Sequence, residues 1–137
     1  MDYTDCNSWR EHDFRDEDYS SDIKSMVWKI PTKITVVEDE MIVFWFTDGS
    51  VCRFYHDQNC CETVTIADVC GDFEDLINHP IIVADERTYS GEDSDYESFT
   101  YTFYTFRGTG GSVDVRWNGY SNGYYSEAVD FEMVTAK

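Results

Sequence analysis

The chain has 137 residues, and its 28 Asp and Glu against 10 Lys and Arg give a formal net charge of −18. This length is typical of one domain, and a hydrophobic fraction of 42% excludes a disordered composition. The charge repels nucleic-acid backbones and anionic lipid surfaces and attracts basic partners, so we expect no direct binding to nucleic acid or membranes. No stretch approaches the roughly 20 apolar residues that span a bilayer, and the N-terminus lacks the pattern of a signal peptide.

Residues 1–25 are polar and acidic, and they are predicted to form an N-terminal arm. Residues 26–137 are predicted to form a single globular, β-rich domain. Its first strands are rich in β-branched and aromatic residues and flank the polar turn Glu38–Glu40. The sequence Thr47–Ser50 contains Asp-Gly, a dipeptide typical of a tight hairpin.

Further strands are predicted over Glu62–Val69, Ile81–Ala84, Phe99–Phe106 and Val113–Trp117, with a last strand from Tyr125 to Met133. The aromatic residues of Phe99–Phe106 occur on both faces, which favours a central or covered strand. Asp72 is predicted to cap a short helix near 72–78, residues 89–97 to form an acidic loop, and Asn118-Gly119 and Asn122-Gly123 to form turns. The predicted class is α+β, mostly β: a single twisted antiparallel sheet system of about 6–8 strands with one short helix.

Five cysteines without an export signal predict reduced thiols in a cytoplasm. His56, Cys60, Cys61 and Cys70 could supply soft metal ligands, but they lack paired Cys-x2-Cys knuckles, and adjacent cysteines on a strand point to opposite faces. A Cys60 nucleophile with His56 as base would be opposed by nearby carboxylates, which raise a thiol pKa. We therefore predict no metal, no cofactor and no catalytic residue, and a disulfide between the adjacent cysteines is not expected.

Two surfaces could bind a partner. Carboxylates placed at phosphate-like intervals can occupy a nucleic-acid groove on a basic protein, and the candidates for such a surface are Asp72, Glu74, Asp75, Glu92, Asp93 and Asp95. A small planar ligand would instead need stacking faces and hydrogen-bonding groups. The candidates for this alternative site are His56, Cys60, Cys61, Glu62, Arg116, Asn122, Tyr124, Tyr125 and Glu127.

Two motifs carry a family resemblance: His56-Asp57-Gln58-Asn59-Cys60-Cys61-Glu62 and Ser121-Asn122-Gly123-Tyr124-Tyr125-Ser126. With these motifs the chain resembles, from about Lys33 onward, a domain-of-unknown-function family encoded mainly by tailed bacteriophages and prophages. The resemblance supplies no catalytic residues. It implies a phage gene expressed in the cytoplasm of a bacterial host.

We therefore expect a non-enzymatic inhibitor that binds a basic host protein, such as a nuclease, a defence effector or another nucleic-acid-binding protein, by imitating nucleic acid. The alternative is a small-ligand-binding module, for instance a sponge for a nucleotide immune signal or a metal-binding protein. An enzyme that uses the His56–Glu62 corner is a third hypothesis, and homodimerisation stays open.

Overall fold

The computed structural model describes residues 18–20, 22–92, 98–123 and 125–135. These residues form nine strands and two 3₁₀ turns, Ile23–Met26 and Phe73–Leu76. The strands, in chain order, are β1 Asp18–Ser20, β2 Pro31–Val37, β3 Met41–Phe46, β4 Val51–Tyr55, β5 Thr63–Cys70, β6 Ile81–Glu92, β7 Ser98–Gly108, β8 Gly111–Ser121 and β9 Asp130–Thr135. The mostly β prediction is confirmed, although the helix predicted near 72–78 is a single 3₁₀ turn.

The strands form two antiparallel sheets, where the sequence predicted one sheet system. The five-stranded sheet has the order β1-β9-β4-β3-β2, and the four-stranded sheet has the order β5-β8-β7-β6. Their inner faces share one core, in which the ring centroids of Phe44 and Phe106 lie 5.3 Å apart and those of Phe54 and Tyr104 lie 4.7 Å apart. Each of these pairs joins one sheet to the other, so burial of large aromatic side chains holds the two layers together.

The hairpin between β3 and β4 follows the sequence prediction. Gly49 adopts a positive φ of 85°, and the Asp48 carboxylate accepts a hydrogen bond from the Ser50 backbone N–H at 2.9 Å. Burial alone would raise the pKa of Asp48, but hydrogen bonds from Lys29 and Ser50 lower it to about 2. The aspartate therefore stabilises this turn in its charged form.

Three details of the secondary structure differ from the sequence prediction. Strand β6 continues to Glu92, into the predicted acidic loop, and pairs with β7 along its length. Asn118-Gly119 is not a turn but lies inside β8, where a Cβ on Gly119 would come within 2.6 Å of the Glu127 carbonyl oxygen. The last strand begins at Asp130 and not at Tyr125 as predicted. Residues 125–129 do not pair in a sheet, because they pass over β8 and bring Glu127 next to Gly119.

The chain changes sheets twice among the described residues. Residues 56–62, here called the crossover, carry it from β4 to β5, and the return from β8 to β9 includes residues 122–123 and 125–129. The two connections meet, since His56 Nδ1 lies 2.8 Å from the Ala128 carbonyl oxygen.

Candidate functional site

The crossover is organised around the Glu62 carboxylate, whose side chain has no exposed surface. Its oxygens accept hydrogen bonds from the backbone N–H groups of Asn59 at 3.0 Å and Cys60 at 2.8 Å. The Gln58 amide donates to it at 3.2 Å, and His56 Nε2 lies 3.0 Å from Oε2. A buried carboxylate needs such a complete set of donors, since an unpaired one would be strongly destabilising.

These hydrogen bonds favour the charged form of Glu62. The backbone N–H of Cys60 lowers the pKa of Glu62 most; with His56 and Asn59 it outweighs the effect of burial and brings the pKa to about 2. The Ala128 carbonyl can only accept, so the hydrogen bond at His56 Nδ1 requires a proton on that nitrogen. Through Nδ1 and Nε2, His56 connects β4, β5 and the approach to β9.

The cysteines of the crossover differ from the sequence prediction. Cys60 and Cys61 are joined by a disulfide, where reduced thiols were expected. The expectation that their side chains diverge assumed a strand, but both residues lie in a turn before β5, whose backbone is held by Glu62. His56 Nε2 is hydrogen-bonded to Glu62, so the predicted pairing of His56 as a base with Cys60 is replaced by a contact with the carboxylate. Cys70 is a free, exposed thiol at the far end of β5, and the described residues contain no group of three or more potential metal ligands.

An open cleft of about 400 Å³ borders the crossover. Its lining residues are Glu40, His56, Gln58, Glu62, Thr63, Val64 and Thr65. Sequence reasoning missed Glu40, Thr63 and Thr65, which arrive from the β2–β3 turn and from the start of β5. The polar atoms of His56 and Glu62 already bind each other, so the threonine hydroxyls, Gln58 and Glu40 are the groups that could contact a ligand.

Glu127 occupies a second polar site, separate from this cleft. Its carboxylate accepts hydrogen bonds from Ser98 and Ser121 and, at 2.9 Å, from Thr100 Oγ1. Burial raises the pKa of Glu127, but these three hydroxyls outweigh it and leave the pKa below its usual value. Ser98 and Thr100 had no local signal in the sequence, because only the pairing of β7 with β8 brings them to Glu127.

The residues of the alternative ligand site do not converge on one cavity. His56 and Glu62 lie in the crossover, Glu127 lies among the three hydroxyls, and Arg116 is in the middle of β8, 3.3 Å from Asp68. Asn122 and Cys61 border a smaller cavity with Thr63 and Tyr120, and Tyr125 is half-buried. Tyr124 lies outside the described residues.

The predicted acidic surface divides into two parts. Asp72, Glu74 and Asp75, here called the acidic turn, are exposed on the second 3₁₀ turn, next to the β7–β8 hairpin. Glu92 lies opposite Ser98 at the other end of β7, ten residues from Gly108, which is about 33 Å along a strand. Asp93 and Asp95 lie outside the described residues.

The acidic turn is held rigidly by what lies beneath it. Phe73 and Leu76, which alternate with its carboxylates, are both buried in the core. Asp72 caps the turn by accepting a hydrogen bond from the Glu74 backbone N–H at 3.0 Å. The Asn78 N–H donates to the Pro31 carbonyl at 2.8 Å and ties the end of the turn to β2. The three carboxylates therefore project into solvent from a fixed backbone.

Fold and sites together define a two-sheet, mostly β domain with a buried histidine–carboxylate pair at its crossover and an exposed acidic turn. The chain belongs to the family described as a domain of unknown function (DUF7448), whose model matches residues 24–131. No curated protein and no solved structure matches the chain. Among the described residues, no helix has the length and apolar character to cross a membrane.

Proposed function

We propose that this protein is a phage-encoded, non-enzymatic inhibitor that binds a basic, nucleic-acid-processing or defence protein of the bacterial host. The observation that carries the proposal is the acidic turn, in which three exposed carboxylates stand on a backbone anchored by Phe73 and Leu76. A fixed set of charges loses little conformational freedom when it binds, unlike the same charges on a flexible chain. The net charge of −18 attracts a basic partner from a distance.

The polar sites of the interior support a binding role over a catalytic one. In the crossover, His56 and Glu62 are saturated by each other and by backbone groups. At the second polar site the Glu127 carboxylate is occupied by three hydroxyls. A general base or nucleophile needs a reactive atom directed at substrate space, which these two carboxylates do not offer.

The test is capture from a bacterial lysate with three proteins of the full chain. One is the wild type, one is D72N/E74Q/D75N, and the third is the control E38Q/D39N/E40Q, which removes the same charge from the β2–β3 turn. That turn and the acidic turn lie near opposite ends of β2, which spans about 20 Å.

We expect the wild type and the control to retain a basic protein that a high-salt wash releases, because exposed charge pairs are screened by salt. The acidic-turn variant should lose it. Equal retention by all three proteins, or retention that salt does not affect, would contradict the proposal.

A small-ligand-binding module is the second candidate, and the cleft beside the crossover favours it. Its volume of about 400 Å³ lies within the range of ligand sites in proteins, roughly 300–1,000 Å³. Native mass spectrometry of the protein purified from bacterial cells would detect a retained molecule. Replacing Thr65 by Val should release that molecule if it lies in this cleft, and unchanged retention would place it elsewhere.

A further inference from the structure

The face of the four-stranded sheet that points away from the core, here called the outer face, carries a band of aromatic rings. Phe99 and Tyr101 have ring centroids 4.9 Å apart, and Tyr89 and Tyr120 extend the band at 5.9 Å from Phe99 and 6.4 Å from Tyr101. Tyr89 is 62% exposed and Tyr120 is 40% exposed. No described element packs over this band, and exposed aromatic surface of this extent is typical of interaction sites.

The outer face also differs from the rest of the molecule in charge. Its described residues include three arginines, Arg87, Arg107 and Arg116, and three aspartates, Asp68, Asp85 and Asp114, so three positive minus three negative charges give zero. The whole chain carries −18. Two copies of this protein would therefore repel each other through most of their surface but not through the outer face.

The strand register orders these charges across the sheet. Asp68 on β5 lies opposite Arg116 on β8, Arg116 lies opposite Phe103 on β7, and Phe103 lies opposite Arg87 on β6. One row across the sheet thus has a carboxylate at one edge and a guanidinium at the other. Arg87 also lies over the Phe103 ring, 5.9 Å from its centroid.

We propose that a second copy of this chain docks on the outer face, with a two-fold axis parallel to the strands. Such an axis stacks β5 on the partner's β6 and β8 on the partner's β7, while positions along the strands are kept. The row that begins with Asp68 on one copy therefore faces the same row of the partner in the opposite order. Asp68 meets the partner's Arg87, and Arg116 meets the partner's Phe103, which is a cation–π arrangement.

The same operation matches the next rows and excludes the other simple dimer. Tyr120 and Phe99 are cross-strand neighbours on β8 and β7, so Tyr120 stacks on the partner's Phe99. A two-fold axis perpendicular to the strands would instead place the β5 edge, which carries Asp68, over the β5 edge of the partner, so that edges of like charge would face each other. Charge therefore selects the parallel axis, which gives the self-complementary contact that a two-fold interface requires.

The outer face is large enough for this contact. Four strands about 4.8 Å apart and eight residues long cover roughly 500 Å² on each copy, or about 1,000 Å² in the dimer. This area is at the lower limit for specific protein–protein interfaces, which is about 1,000 Å². The structure therefore points to a reversible dimer with moderate affinity.

Sedimentation velocity of the full chain at physiological salt tests the proposal, with the wild type and the charge-reversal variants R87E and D68K. We expect the wild type to dimerise with rising concentration, and each variant to weaken the dimer at least about tenfold, because two like-charge contacts replace two attractive ones. Asp68 and Arg87 are exposed, and circular dichroism with thermal melting will verify that both variants fold.

Mixing the two variants is the decisive step. In the mixed dimer, the glutamate introduced by R87E faces the lysine introduced by D68K, and the native Asp68 and Arg87 form the second contact, so dimerisation should return. A wild type that stays monomeric would overturn the proposal and leave the outer face to another partner. Variants that dimerise like the wild type, or a mixture that stays monomeric, would overturn this interface.

Discussion

The crossover and the acidic turn use the same kind of residue in opposite ways. In the crossover, the carboxylate of Glu62 is fully buried and accepts hydrogen bonds from His56, Gln58 and two backbone N–H groups. In the acidic turn, the backbone is anchored in the core but the carboxylates are exposed. The first region uses its charge to stabilise the fold, and the second leaves its charge available to a partner.

The difference shows that charge density along the sequence does not by itself identify a site. In the sequence, both regions are acidic stretches next to strands. The motif around His56 was the stronger candidate for a catalytic or metal site. What separates them is how many donors surround each carboxylate, and this depends on contacts between residues distant in the sequence. Mutations of the crossover should therefore affect stability, whereas mutations of the acidic turn should affect binding.

The largest effect on stability should come from replacing Glu62 by Ala. This change leaves His56 and two backbone N–H groups without their acceptor inside the protein, which is strongly destabilising. Urea unfolding at neutral pH should show a clearly lower midpoint than in the wild type. Glu40→Ala is the matched control, since Glu40 borders the same cleft but is exposed, and equal midpoints for the two variants would contradict the assignment.

Acid should reveal the same carboxylate. The pKa of Glu62 is about 2 in the folded protein against 4.5 as its ordinary value, so its stabilisation is present above pH 4.5 and is lost as the pH falls toward 2. The difference in unfolding free energy between the wild type and Glu62→Gln should therefore shrink across this window. Other carboxylates titrate in both proteins and largely cancel in the difference. A difference that stays constant from pH 6 to pH 2 would show that the pKa of Glu62 is the same in the folded and unfolded states, which would contradict the hydrogen bonds assigned to its charged form.

Replacing Glu127 by Gln should have a moderate effect, about 1 kcal/mol in unfolding free energy. The donors that lose the charged acceptor are hydroxyls of Ser98, Thr100 and Ser121, which can rotate and find other acceptors. Chemical denaturation would measure the loss, with Glu92→Gln as an exposed control at the same end of the sheet. A loss as large as that of Glu62→Ala would show that the two polar sites are not ranked as we infer.

The smallest effect on stability should come from D72N/E74Q/D75N, within about 0.5 kcal/mol of the wild type. The amide oxygen introduced by D72N can still accept the hydrogen bond from the backbone N–H of position 74, because asparagine is as good an N-cap as aspartate. Asp72→Ala should cost about 1 kcal/mol, since it removes that cap. If the triple variant were less stable than Asp72→Ala, the acidic turn would have a structural role that its exposure does not suggest.

Local sequence patterns predicted much of the fold and less of the sites. The Asp-Gly hairpin, the Asp72 cap and the mostly β character depend on neighbouring residues, and they appear where expected. Asn118-Gly119 was read as a turn because glycine favours turns, but Gly119 is needed for the close approach of Glu127. The division into two sheets likewise depends on long-range pairing that no local pattern encodes.

The sites show the same limit. The motif His56–Glu62 drew attention to the right residues, but only the structure shows that they satisfy each other. The aromatic pattern of Phe99–Phe106 predicted a central strand, and β7 is internal to its sheet. Alternate residues of this segment also form part of the outer face. The sequence would have predicted this if the set of alternate residues that lacks aliphatic neighbours on the adjacent strands had been assigned to the surface.

Titration calorimetry of a captured host protein, over a range of salt concentrations, tests whether the acidic turn is the surface that recognises the partner. We expect D72N/E74Q/D75N to bind more weakly than the wild type and with a shallower salt dependence. E38Q/D39N/E40Q, which has the same net charge, should bind like the wild type. If both variants weaken binding equally, only the total charge matters and the acidic turn is not the recognition surface.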